Sequence, residues 1–92
     1  MITVSGISAG DADVARSLLA ITAEVAVSTG ARAAVSGATR TGDREAWNFQ
    51  RIEDAESLLA LLEDHRRHGI LASDTIHSVD RLIAKLTVAV RS

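Results

Sequence analysis

The chain has no cysteine and no proline, and Trp47 and Phe49 are its only aromatic side chains in 92 residues. Without cysteine there is no disulfide framework and no thiolate zinc site, so no cross-link of that kind stiffens the fold. A domain this small buries only about 60 to 65% of the surface it exposes when unfolded. Its stability must therefore come from a core of Leu, Ile, Val and Ala. The lack of proline leaves only six glycines to interrupt a helical hydrogen-bond ladder, and sixteen Ala with nine Leu favour helix. An excess of positive charge is also missing. Ten basic residues against twelve acidic give a net charge of -2, which removes the usual electrostatic basis for binding nucleic acid. No apolar run approaches the ~20 residues of a membrane span, and no Lys or Arg precedes an apolar stretch near the start as in a secretory signal. These absences point to one cytoplasmic domain over residues 1–92 with no membrane association and nucleic acid as a poor partner.

What is present is helical rhythm. Ile52, Ala55, Leu59 and Leu62 recur at steps of three and four, as do Ile76, Val79, Ile83, Leu86 and Val90, so each set lies on one side of an amphipathic helix. Val14, Leu18, Ile21 and Val25 form an earlier stripe, while Leu19, Ala23 and Val27 fall on the opposite side of the same helix. Ser8 and Asp11 have the spacing of a capping box, placing the start of that helix near residue 9. Beyond Gly30 two readings stay open: the helix continues through residues 31–38, or it restarts there. Residues 1–7 alternate weakly and suit a short strand or an ordered arm.

Residues 36–42 (SGATRTG) are rich in turn formers and read as a linker. The boundaries that follow are an arm over 1–8, a helix-one region over 9–38, a linker over 39–42, helix two over 43–68 and helix three over 74–91. His65, Arg66, Arg67 and His68 suit the negative end of helix two, and Gly69 suits its termination. A loop of about five residues makes helices two and three antiparallel neighbours. With Gly-Ile-Leu and then Ala-Ser-Asp leading into a charged amphipathic helix, residues 65–86 resemble the helical hairpin of SHOCT-type domains, although Thr75-Ile76 stands where that family usually has Glu-Phe. The resemblance covers about a quarter of the chain and implies a role in association. The expected fold class is all-α: a small antiparallel three- or four-helix bundle ending in a helical hairpin.

Four patterns bear on chemistry. His65 and His68, with Asp74 and His77 across the turn, have spacing compatible with a divalent metal, but they lack a full tetrahedral signature and suit helix ends equally well. Glu53, Asp54, Glu56, Glu63 and Asp64 crowd helix two, mostly opposite its apolar stripe, as a solvated face would. The glycine-bearing stretches 5–10 and 37–42 lack the Gly-Lys-Ser/Thr signature of a phosphate loop. Arg32, Arg40, Arg66 and Arg67 are the residues a DNA-binding reading would use, with His77, Asp80, Arg81, Thr87 and Arg91 on helix three.

None of these sets a catalytic, cofactor or metal site, so the expected function is a non-enzymatic interaction or self-association domain acting through apolar helix faces. Its partner would be another protein or a second copy in a homodimer; the alternative is a small DNA-binding regulator or antitoxin. The residues expected at the interface are Leu19, Val27, Trp47, Phe49, Leu61 and Val88, because they lie off the main stripes or, for the two aromatics, suit a hot spot.

Overall fold

Between residues 44 and 49 successive side chains alternate between buried and less buried, and in the computed structural model, which describes residues 1–91, they form the central strand of a three-stranded antiparallel sheet. The chain runs β1 (Ile2–Ser8), α1 (Ala9–Ala20), a 3-10 turn (Glu24–Ala26), α2 (Thr29–Ser36), β2 (Thr39–Thr41), β3 (Arg44–Phe49), α3 (Ile52–His68) and α4 (Ser73–Arg91), with sheet order β1-β3-β2. The protein is α+β, and the all-α helical bundle expected from composition is corrected. The linker 39–42 and the first turns of the expected helix two form a β-hairpin. Its two-residue turn is Gly42-Asp43, with Thr41 paired to Arg44 and φ of 65° at Gly42. A positive φ at the first central residue alone is the pattern of a type II′ turn, whose twist matches the strands that flank it.

Ile2 pairs with Phe49, Val4 with Trp47 and Ile7 with Glu45, so one face of the sheet presents these side chains to the helices. Two residues of β1, Ser5 and Gly6, interrupt the register as a bulge, and Gly6 has φ of 71°. Without that bulge the period of two would turn Ile7 away from Val4; with it, both are buried.

The expected helix-one region divides in two. Ser8 caps α1 by accepting from the Asp11 N–H at 3.2 Å, as its spacing implied. Ser28 caps α2 by accepting from the Ala31 N–H at 3.1 Å, so a new helix begins one residue before Gly30. The end of α1 is secured from outside: Arg32 donates to the carbonyls of Leu19, Thr22 and Ala23. A helix terminus leaves carbonyls without intrahelical donors, and a guanidinium supplies several.

α3 holds the start of α2. The Ser28 hydroxyl donates to the buried Asp54 carboxylate at 2.9 Å, and the Ser28 N–H donates to Ser57 Oγ at 2.9 Å. Gly30 lies against the same carboxylate, and a Cβ there would overlap all three of its atoms. Gly30→Ala therefore displaces Asp54 from Ser28, with an expected loss of about 1–3 kcal/mol in urea unfolding where helix propensity alone would favour alanine. Asp54→Ala in the same chain relieves the overlap, so the two losses are less than additive.

The helical hairpin is present, with α4 beginning one residue before the expected start. Its buried stripe is Val79, Leu82 and Leu86, with Ile83 and Val90 partly buried against the core. The stripe of α3 is rotated from the expectation: Ala55, Leu58, Leu61 and Leu62 are buried, while Ile52 is 42% exposed.

Candidate functional site

Two buried carboxylates tie the helices to the sheet and to one another. Glu45 on β3 receives Arg16 from α1 through both terminal nitrogens, at 3.0 and 2.6 Å, and Trp47 Nε1 at 3.4 Å. Arg40 of β2 stands 4.0 Å away, and Arg16 also donates to the Val35 carbonyl at the end of α2. Asp11 in the first turn of α1 receives Arg81 of α4 through Nε and Nη2, at 2.9 and 2.8 Å, and Ser78 Oγ accepts from that same Nη2 at 3.3 Å. The hydrogen bond from Arg81 holds the Asp11 carboxyl below its ordinary value, outweighing the opposing effect of burial. Arg16 does the same for Glu45. Both carboxylates are thus kept charged and engaged, whereas general acid–base work at neutral pH calls for a shift upward. Their evident role is cohesion.

The sign of the pH dependence follows. A carboxylate with a lowered pKa contributes stability in full above its unfolded value, 3.8 for Asp11 and 4.5 for Glu45, and loses it as pH falls through the lower folded value. The pKa values of Arg16 and Arg81 are raised, so what they contribute is present throughout the acid and neutral range and does not vary there. The melting temperature should stay level from pH 7 to about 5 and fall below about 4. Asp11→Asn should start lower and decline less steeply over the same scan.

The residues singled out from sequence do not form a surface patch. Leu19, Val27, Trp47, Phe49 and Leu61 are enclosed in the core, Trp47 and Phe49 at 0% exposure, while Val88 is 68% exposed on α4. The sheet, which the helical reading lacked, and α2 cover the apolar surplus of α1 and α3. His65 Nε2 lies 3.3 Å from Thr22 Oγ1, and His68 and His77 are exposed. Among the described residues no group of three or more His, Asp or Glu side chains is placed to hold a metal ion. Glu53, Glu56, Glu63 and Asp64 are exposed and Asp54 is buried against Ser28. Of the arginines a DNA reading would use, Arg32 is bound to the end of α1, Arg66 pairs with Asp80 at 2.8 Å and Arg40 lies beside Glu45.

Glu45 and Arg81 were not expected as structural residues. The signal for Glu45 lies in the alternation Glu45-x-Trp47-x-Phe49, which puts its carboxylate on the aromatic face. Nothing local marks Arg81, whose partner lies 70 positions away.

An open cleft of about 440 Å³ lies where α4 passes β1. Thr3, Val4 and Ser5 line one side, and Ala84, Lys85, Val88 and Ala89 line the other. β1 is a terminal strand of the sheet, and among the described residues no hydrogen bond from α4 or any loop reaches its outer backbone edge. A smaller hollow of about 310 Å³ between α1 and α2 is lined by Arg16 and Arg32, but both guanidiniums already serve Glu45, Val35 and the end of α1. The β1–α4 cleft is the candidate site. Comparison with protein families, with curated proteins and with solved structures finds no match, so the resemblance of residues 65–86 to SHOCT-type hairpins gains no support there. No helix among the described residues is long and apolar enough to cross a membrane.

Proposed function

We propose that the chain is a non-enzymatic protein-interaction module that receives an extended segment of a partner along the outer edge of β1. The observation that carries this reading is the unpaired outer edge of β1 facing the cleft. Backbone N–H and C=O groups on a terminal strand are a ready template for another strand, and a neighbouring helix supplies the side-chain contacts that make such pairing selective. Thr3 and Ser5 are exposed on the strand side, and small Ala84 and Ala89 leave room for the side chains of an incoming strand. The proposal places the chain in the cytoplasm.

A displayed library of random linear peptides, selected on the full-length chain and mapped by amide chemical shifts, tests the reading. Selected peptides should shift residues 3–6 and 84–89, and Ala84→Trp, at an exposed position, should abolish binding while leaving the melting temperature within a few degrees. Selection that yields no peptide at β1, or peptides indifferent to Ala84→Trp, overturns it.

A further inference from the structure

We infer that the segment received by the cleft is acidic, carrying a carboxylate side chain that pairs with Lys85; this rests on the strand-edge reading above. Lys85 is half-buried in the wall of the cleft, and its Nζ lies 3.6 Å from where a Cβ on Gly6 would stand, beside the β1 bulge. Among the described residues it forms no ion pair or hydrogen bond. Among the described residues no carboxylate lines the cleft. An ammonium flanked by Ala84 and Ala89 loses hydration when a strand covers it, and that loss is offset only if the strand brings an anion.

The same placement rejects other strands. A neutral segment would strand the charge and a basic one would oppose it, so a bulge and a lysine that blunt the edge against indiscriminate pairing also set what can enter. A second copy fits poorly, because residues 1–8 contain no Asp or Glu and a two-fold pairing of β1 with β1 would leave both Lys85 charges unmatched. The occupant is therefore an acidic extended segment of a different protein.

The test is the composition of the peptides selected on wild-type, Lys85→Met and Lys85→Glu chains. Wild type should enrich Asp or Glu at one fixed register position, and replacing that residue by Gln or Asn should weaken binding about tenfold. Lys85→Met, which keeps the apolar stem, should lose the acidic preference, and Lys85→Glu should move it to Lys or Arg. Added salt should weaken the wild-type complex and leave the Lys85→Met complex nearly unchanged. Peptides that map to β1 without any charge preference overturn this inference and leave the strand-edge reading standing. An absence of peptides at β1 overturns both. A dimer by light scattering that Ala84→Trp dissolves assigns the cleft to a second copy and also overturns the inference.

Discussion

Arg16→Met should cost about 3 kcal/mol of stability, because it leaves the Glu45 carboxylate charged, enclosed and short of its principal partner. Glu45 is 3% exposed, so water cannot replace the lost guanidinium, and Arg40 at 4.0 Å is itself largely in solvent. Arg16 is partly exposed, at 38%, which places the expected loss at the low end of what breaking a buried pair produces. In a domain of this size the corresponding fall in melting temperature is roughly 12–24 °C. Trp47, the only tryptophan and in contact with Glu45, reports the unfolding by fluorescence. Arg16→Met combined with Glu45→Met should lose less than Arg16→Met alone, since removing both charges leaves no isolated ion in the core. A double variant less stable than either single one would mean that Glu45 and Arg16 act independently, contrary to their bidentate geometry.

Trp47→Ala should be the most damaging single substitution, at about 3–5 kcal/mol. Its side chain is fully buried on the central strand, paired across the sheet with Val4, and is one of only two aromatics in the chain. Leu and Ile elsewhere in the core cannot close so large a cavity without moving the sheet. A domain with a total stability of about 5–15 kcal/mol has little reserve against such a loss. Circular dichroism is the appropriate readout because the fluorophore is gone. Trp47→Phe should cost much less, since most of the apolar area returns and the bond to Glu45, at 3.4 Å, is a long one. Equal effects of the two substitutions would show that a benzyl ring restores nothing, contrary to a loss set by buried apolar area.

The parts of the fold that were legible in sequence share one property: their signals are local. The α3–α4 hairpin could be read because stripes at steps of three and four, a basic last turn and Gly69 all lie within a few residues of what they specify. The Ser8 cap was legible for the same reason. Residues 39–49 carried a local signal too, Gly42-Asp43 between alternating side chains, but the absence of proline and the abundance of alanine outweighed it. The candidate cleft was invisible: Thr3 and Lys85 lie at opposite ends of the chain, and only packing makes them neighbours.

By itself, then, the order of residues marked where α1 and α4 begin and where α3 and α4 end, because capping, periodicity and turn chemistry act over one or two turns. Tertiary structure alone decided which apolar faces meet one another, since burial depends on what lies across the fold. It enclosed Trp47 and Phe49 beneath the helices, joined Glu45 to Arg16 and Asp11 to Arg81, and left the outer edge of β1 open beside Lys85. Such pairings arise from long-range contacts, whose partners no short stretch of sequence contains.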